Sequence, residues 1–292
     1  MRRAWLWLGA VWCVGFAGVA EPQGNATKLR IIAFGAHPDD CDQRAGGTAA
    51  RWAALGHQVK FVAVTNGDAG HQTEGGGALA RRRRAEAQEA ARRLGIAEYE
   101  TLDNHDGQLV PSVEVREQII RKIRQWNADI VLAPRPNDYH PDHRYTGVLL
   151  QDAAYMVVVP NIAPDTPPLG KNPVFLYFED RFQRPNPFRP DVAVSIDEVF
   201  DVKVRAMDAH VSQMYEWLPW VAGELPRVPA DAKARFDWLK GNTAAQPIAA
   251  PVREALRKRY GAKGDAVQHA EAFEMCEYGR QASVEELNRL FP

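Results

Sequence analysis

The chain has 292 residues, of which 46% are hydrophobic, and a formal net charge of −1. This balance excludes the strongly basic surface by which proteins hold nucleic acid, so no nucleic-acid partner is expected. Three cysteines are too few for a fold built on disulfides, whereas the apolar content is sufficient for one large core.

The first 20 residues have the pattern of a secretory signal peptide. Arg2 and Arg3 precede an apolar stretch over residues 4–19, and the small residues Gly18–Ala20 suit cleavage after Ala20. Cleavage there predicts a secreted or periplasmic protein. The alternative is a membrane anchor formed by residues 4–19, although this stretch is short for a membrane span.

Strands and helices alternate along the chain that follows. The pattern predicts strands over residues 29–35, 58–65, 98–102, 128–134, 174–178 and 192–196, and helices over residues 46–55, 81–94, 113–126 and 199–215. Such alternation predicts an α/β, Rossmann-like fold whose mainly parallel sheet has helices on both faces. We expect one domain over residues 28–280, with a C-terminal extension from about residue 160 that is irregular over residues 217–251.

Two histidine-rich motifs follow predicted strands. Ala36–Asp40 comes directly after the first strand, and His140–His143 comes after the strand over residues 128–134. In an open parallel sheet, ligands bind at the carboxyl ends of the strands, so both motifs are expected at one edge. Either motif alone is a weak signal, because His-Pro-Asp is usually a turn and His-x-x-His has many false matches.

Together the two motifs supply the ligands of a catalytic zinc ion (Zn2+), which typically has three protein ligands and one open position. His37 and Asp40 lie three residues apart on a turn stiffened by Pro38, so both side chains can converge on one ion. His143 can supply the third ligand. We therefore predict a zinc site formed by His37, Asp40 and His143.

Three further side chains of the motifs have predicted roles beside the metal. Asp39 is next to a ligand and is expected to take a proton from the water that the metal activates. His140 is expected to donate a hydrogen bond or a proton to an oxyanion. Asp142 is expected to hold one imidazole in the required tautomer.

The same motifs resemble those of a known family. Ala36–Asp40 and His140–His143 look like the paired signatures of the PIG-L/LmbE-type zinc N-deacetylases. Supporting matches, in the family's order, lie at Arg83–Glu86, Ala87–Gly95, Asp106–Gly107, Ala209–Gln213 and Ala270–Phe273. The resemblance implies a Rossmann-like fold, the same three zinc ligands, and hydrolysis of an N-acetyl group on an amino sugar or sugar conjugate. It also implies that Asp39 is the general base and that His140 stabilises the tetrahedral intermediate.

One residue departs from the family's pattern. The family usually has Glu after the two aspartates, where this chain has Cys41. The change removes a carboxylate near the ligands and leaves open which group pairs with Arg83 or Arg84. Cys41 has three alternatives: a contact with the zinc, a disulfide with Cys276, or a buried thiol. The basic run Arg81–Arg84 otherwise predicts a solvated helix face.

We predict a zinc-dependent hydrolase that removes the acetyl group from an N-acetylated small-molecule or glycan substrate. Two other classes stay open, a catalytically silent sugar-binding protein of the same fold and another zinc amidase or esterase. A silent protein would not need Asp39, and the chain has neither a His-Glu-x-x-His helix nor a Gly-x-Ser-x-Gly elbow. Trp217, Trp220 and Trp238 are either sugar-stacking residues or core residues.

Overall fold

The computed structural model describes residues 28–292. The predicted signal peptide over residues 1–20 and its alternative, an anchor over residues 4–19, lie outside this range and stay predictions. Within the described part of the chain, no helix is both long enough and apolar enough to cross a membrane.

Seven strands form one sheet in the order β3-β2-β1-β4-β5-β7-β6. The strands are β1 (Arg30–Gly35), β2 (Gln58–Thr65), β3 (Glu98–Asn104), β4 (Ile130–Ala133), β5 (Val174–Phe178), β6 (Val192–Ser195) and β7 (Ala270–Gly279). β1 to β5 pair in parallel, whereas β7 is antiparallel to both β5 and β6. The chain order reverses between β1 and β4, and at such a point the carboxyl ends of two neighbouring strands leave a crevice.

Helices cover both faces of the sheet. They are α1 (Asp40–Ala54), α2 (Gly76–Leu94), α3 (Val113–Trp126), α4 (Pro141–Met156), α5 (Phe200–Ala209), α6 (Leu218–Val221), α7 (Ala232–Ala244), α8 (Ala250–Tyr260) and α9 (Val284–Leu290). In β1, Ile31 packs into a core with α1, α2 and α5, while its neighbour Ile32 packs into a second core with α3 and α4. Both faces of the strand are therefore apolar, as a covered parallel sheet requires. The predicted Rossmann-like α/β fold is confirmed.

Both histidine-rich motifs lie at helix N-termini. α1 begins at Asp40, six residues before the predicted start at Gly46, and the carboxylates of Asp40 and Asp42 lie in its first turn. Negative charge is favourable there because of the helix dipole. His140 is the N-cap residue of α4, a helix that was not predicted. The two motifs therefore join strand ends to helix starts on either side of the crevice.

The C-terminal part is more regular than predicted. The segment over residues 217–251 contains α7, and the helix predicted over residues 199–215 ends at Ala209 and is followed by a π-helical segment, Ser212–Trp217. β7 was also missed, because three glutamates interrupt its apolar pattern and one of them is buried. The buried one, Glu271, is stabilised there because it accepts hydrogen bonds from Lys203 and from two backbone N–H groups of α1.

The two cysteines of the described residues lie on opposite faces of the sheet. Cys41 packs in the core with α1, Cys276 packs in the core with α4, and both are free thiols. Burial raises the pKa of each thiol, which disfavours the thiolate that a metal would bind. Of the three alternatives for Cys41, only the buried thiol agrees with the structure.

Candidate metal centre

The first motif forms a tight turn between β1 and α1. The backbone N–H groups of Asp39 and Asp40 both point to the carbonyl of His37, at 2.9 and 3.3 Å. The Asp40 carboxylate closes the turn, because its Oδ2 accepts a hydrogen bond of 2.8 Å from the His37 N–H. The side chains of His37 and Asp40 are thereby held on one side of the turn, facing the second motif.

Three side-chain atoms converge in the crevice between β1 and β4. His37 Nδ1 lies 3.2 Å from His143 Nε2 and 3.6 Å from Asp40 Oδ2, and the latter two atoms are 3.5 Å apart. Zinc bonds of about 2.0–2.2 Å in a tetrahedral arrangement place ligand atoms about 3.3–3.6 Å apart. The three separations therefore match three corners of a zinc tetrahedron.

The other nitrogen of each imidazole faces a carboxylate. His37 Nε2 lies 3.0 Å from Asp106 Oδ1 and 3.3 Å from Asp142 Oδ2, and His143 Nδ1 lies 3.0 Å from Asp138 Oδ1. These carboxylates take the ring N–H of the neutral imidazoles, so lone pairs remain on His37 Nδ1 and His143 Nε2. When both rings are neutral, two nitrogen lone pairs and a carboxylate oxygen face one another, and this donor set fits a divalent cation.

Contacts between the side chains shift the pKa values of His37, Asp40 and Asp106. Burial lowers the pKa of the His37 imidazole, but the hydrogen bonds from its ring to Asp106 and Asp142 outweigh this and raise that pKa well above its usual value. Burial raises the pKa of the Asp40 carboxyl, but the His143 and His37 rings lower it much further. Burial raises the pKa of the Asp106 carboxyl, but the His37 ring, with smaller effects of Arg83 and His140, brings it down to about 2. The carboxylates thus stay ionised and attract positive charge.

Asp39 is turned away from the three converging atoms. Its Oδ1 accepts from Arg83 Nη2 at 3.2 Å, and its Oδ2 accepts from Gln43 Nε2 at 3.0 Å. Burial raises the pKa of the Asp39 carboxyl, and the Arg83 charge offsets only part of that rise. A buried carboxylate with a raised pKa accepts a proton more readily than an exposed one.

Arg83 connects Asp39 to the rest of the site. The predicted solvated helix face over Arg81–Arg84 did not include this contact. Its guanidinium is almost fully buried and also contacts Asp106 Oδ2 at 3.4 Å and the Gly67 carbonyl at 3.2 Å. A Cβ at Gly67 would lie within 2.8 Å of the guanidinium, so only glycine permits this approach. The open question of the arginine's partner is resolved: Arg83 pairs with Asp39 and Asp106, and the solvated-face prediction is wrong for this residue.

His140 lies next to the rings of both His37 and His143. The ring centroids of His140 and His37 are 4.7 Å apart, and His140 Nδ1 accepts a hydrogen bond of 3.2 Å from the Asp142 N–H. Its Nε2 therefore carries the proton of the neutral ring and is available as a donor. The rings of His37, His140 and His143 are also close enough for all three to hold one ion. His140 is thus either a donor or an alternative third ligand.

Three other histidines, His71, His105 and His210, have partners of their own. His71 Nδ1 accepts from the Glu74 N–H at 3.0 Å and its Nε2 faces Glu216 at 2.8 Å, so its ring has no lone pair left for a metal. His105 bonds Asp68 on the surface, and the buried His210 bonds Asp42. These rings lie outside the set that converges between β1 and β4.

Comparison with known proteins agrees with the geometry. Residues 32–154 match the family model of GlcNAc-PI de-N-acetylase, PIG-L. The chain is 34% identical over 215 residues to the diacetylchitobiose deacetylase of Thermococcus kodakarensis, a match that covers 69% of this chain and 76% of that protein. The chain belongs to the PIG-L family.

Other PIG-L-like proteins differ in the reaction their names give. The N,N'-diacetylchitobiose deacetylase of Pyrococcus horikoshii superposes with a TM-score of 0.62 at 26% identity, covering 84% of this chain and 83% of that one. The 4-oxalmesaconate hydratase of Pseudomonas putida is 27% identical over 205 residues, covering 66% of this chain and 77% of that protein. The predicted resemblance to PIG-L-type deacetylases is confirmed.

A larger groove lies beside the candidate metal centre of this PIG-L protein. A cavity beside Asp40 and Asp138 shares Arg44, Glu179 and Asp180 with a groove of about 870 Å³. Among the described residues, the three tryptophans considered from the sequence line neither space. Two of them, at positions 217 and 220, stack on each other at 5.3 Å, and the third packs at the edge of the core.

Sequence reasoning missed the roles of Asp106 and Asp138. Asp138 stands two residues before the His140 motif, so its position was the only available signal. Asp106 was noted only as a supporting match.

Because Asp138 orients His143, Asp138→Asn is expected to weaken zinc binding about 10- to 100-fold while the fold is kept. Competition with a zinc-chelating dye measures this, and Asp152→Asn on the outer surface of α4 serves as the control. Unchanged zinc affinity in Asp138→Asn would contradict the role.

Proposed function

We propose that this PIG-L protein is a zinc-dependent hydrolase that removes the acetyl group from an N-acetylated amino sugar or sugar conjugate. The observation that carries the proposal is the convergence of His37 Nδ1, His143 Nε2 and Asp40 Oδ2 at separations of 3.2–3.6 Å. A buried carboxylate with a raised pKa, that of Asp39, lies at the same turn. Relatives named as deacetylases of an N-acetylated disaccharide support the substrate class.

Different residues of the site have different roles in amide hydrolysis. A divalent cation held by the three ligands supplies Lewis-acid chemistry, polarising a carbonyl and lowering the pKa of water toward about 7. Asp39 accepts a proton from the attacking water, whose oxygen bonds to the acetyl carbon. The C–N bond then breaks, Asp39 returns the proton to the leaving nitrogen, and the products are acetate and a free amine. Arg83 keeps Asp39 oriented through the 3.2 Å contact.

His140 has the geometry of an oxyanion donor in this reaction. Because its Nδ1 is occupied by the Asp142 N–H, its Nε2–H is free to donate to the carbonyl oxygen as that oxygen gains charge. His140→Ala is expected to lower kcat about 10²–10³-fold with little change in KM, since the interaction strengthens in the transition state. Steady-state kinetics and zinc content are measured on the same preparation.

The same variant decides between donor and ligand. Zinc content equal to that of the wild-type protein assigns His140 as a donor, whereas loss of zinc makes it the third ligand in place of Asp40. A kcat within a few-fold of wild type, together with a lower melting temperature, would show that His140 only caps α4.

A hydratase is the second candidate, because one relative at 27% identity carries that name. Water addition to a carbon–carbon double bond also needs a base and a Lewis acid, so the metal centre alone does not separate the two reactions. A silent sugar-binding protein and another zinc amidase or esterase remain the further rivals.

One screen separates these candidates. The zinc-loaded protein is incubated with N-acetylglucosamine, N,N'-diacetylchitobiose, an acetyl ester and an unsaturated dicarboxylate, and free amine, acetate and absorbance at the double bond are followed. Equimolar release of acetate and amine from the sugars supports the proposal. Loss of the double bond without acetate would make the protein a hydratase, and sugar binding without any product would make it a binding protein.

A further inference from the structure

An exposed aromatic ring stands beside the metal centre. Tyr139 is 71% exposed, although its ring centroid lies only 5.6 Å from that of His143 and 5.8 Å from that of His140. A single exposed aromatic side chain is ordinary on a protein surface. This one lines the groove that lies beside the candidate metal centre, where a bound substrate would cover it.

A second aromatic ring faces the same space. The centroid of Phe182 lies 6.4 Å from that of Tyr139 at an angle of 37°, and both rings line the groove. They belong to different loops, one after β4 and one after β5, so only the parallel pairing of these two strands brings them together. The two rings form an aromatic platform, and its Tyr139 ring is next to His143, a predicted metal ligand.

The backbone on both sides of the platform is fixed. The N–H of Phe182 donates to Asp180 Oδ1 at 2.9 Å, and its carbonyl accepts from Arg135 Nη2 at 3.2 Å. Arg135 and Asp180 form a buried bidentate pair with two contacts of 2.6 Å. On the other loop, the Tyr139 carbonyl accepts from Arg144 at 3.0 Å. The rings therefore need no backbone ordering when a ligand binds, which reduces the entropic cost of binding.

The groove around the platform has the size and chemistry for a chain of sugars. Its volume of about 870 Å³ is near the upper end of the roughly 300–1,000 Å³ of ligand pockets. Arg44 lines both the groove and the cavity at the metal, and it forms no ion pair with any carboxylate of the described residues. Polar groups such as Arg44 and the Glu179 carboxylate suit sugar hydroxyls, while aromatic faces suit the apolar face of a pyranose.

We propose that Tyr139 and Phe182 form a subsite for the sugar ring next to the one that is deacetylated. The preferred substrate is then an N-acetylated oligosaccharide of at least two rings rather than a monosaccharide. This inference rests on the proposed function and deepens it, because it assigns the side chains that select for chain length.

The test compares one- and two-ring sugars on matched variants. The turnover of N-acetylglucosamine and of N,N'-diacetylchitobiose is assayed with the wild type, Tyr139→Ala and Phe182→Ala. Binding of both sugars is titrated on the Asp39→Asn protein and on double variants that combine Asp39→Asn with Tyr139→Ala or Phe182→Ala. Each platform change is expected to lower the disaccharide-to-monosaccharide ratio of kcat/KM about tenfold, mainly through KM. Tyr155→Ala is the control, since Tyr155 is 69% exposed and lies about 20 Å along α4 from the metal centre.

The outcomes separate this inference from the proposed function. Deacetylation with equal kcat/KM for one and two rings, or a variant ratio equal to that of wild type, overturns the subsite and leaves the function standing. Equal losses on both sugars would place Tyr139 in the metal centre instead and also overturn the subsite. If no sugar is deacetylated, the proposed function fails, and the affinities for the two sugars then test the subsite. Tighter binding of the disaccharide than of the monosaccharide, lost on the change Tyr139→Ala, supports the subsite. Equal affinities for the two sugars overturn it.

Discussion

The Asp39→Asn protein is expected to keep one zinc ion per chain and to lose turnover by about 10²–10⁴-fold. Asn keeps an oxygen that can accept from Arg83 and an almost unchanged volume, so the fold and the ligands are preserved. It cannot take a proton from water, because its amide is not basic at neutral pH. Zinc content by mass spectrometry and single-turnover acetate release measure the two properties on the same sample.

The control and the contrary outcomes of this experiment are distinct. Asp152→Asn removes a carboxylate from the exposed side of α4 and should leave both properties at wild-type level. Full turnover in Asp39→Asn would remove Asp39 as the base. Loss of zinc would show that Asp39 is a ligand and would require Asp40 to be reassigned.

The His143→Ala protein is expected to bind far less than one zinc ion per chain and to have no measurable turnover. The change removes one of three ligand atoms that lie 3.2–3.6 Å apart, and two remaining ligands hold a divalent ion poorly. The side chain lies in the first turn of α4 rather than in either core, so the circular dichroism spectrum should be retained. Zinc per chain is measured after dialysis against a weak chelator.

His57→Ala is the matched control for that variant. His57 directly precedes β2, at the amino ends of the parallel strands and therefore at the end of the sheet opposite the candidate metal centre. Its Nδ1 accepts a hydrogen bond from the Leu29 N–H. Zinc content should not change in this protein. Full zinc occupancy in the His143→Ala protein would contradict the assignment of His143 as a ligand. A wild-type protein that does not bind zinc would show that the site holds another divalent ion or none.

Local pattern was enough to predict most of the sheet that frames the site. β2, predicted from partial alternation of apolar and polar residues, has the predicted bounds at 58–65, and the predicted and observed bounds of α3 are both 113–126. Hydrophobic periodicity is a local signal, so it needs no knowledge of distant partners. β7 was missed for the opposite reason: its buried Glu271 is stabilised by Lys203, 68 residues away in sequence, and nothing local indicates that pairing.

The sequence by itself determined the chemistry of the candidate site. Residue type and spacing predicted His37, Asp40 and His143 as metal ligands, because the two motifs together supply imidazole and carboxylate groups after strand ends. Tertiary structure alone decided which atom of each ring faces the others. That choice depends on Asp106, Asp138 and Asp142, which take the second ring N–H.

Tertiary structure also decided the surroundings of the base and of the groove. The contact between Arg83 and Asp39 joins residues 44 apart, and the platform of Tyr139 and Phe182 joins two loops that only strand pairing makes neighbours. The physical reason is common to both: hydrogen bonds, burial and ring contacts act over a few ångströms in space. Sequence determines which groups are available, and the order of the strands in the sheet determines which of them meet.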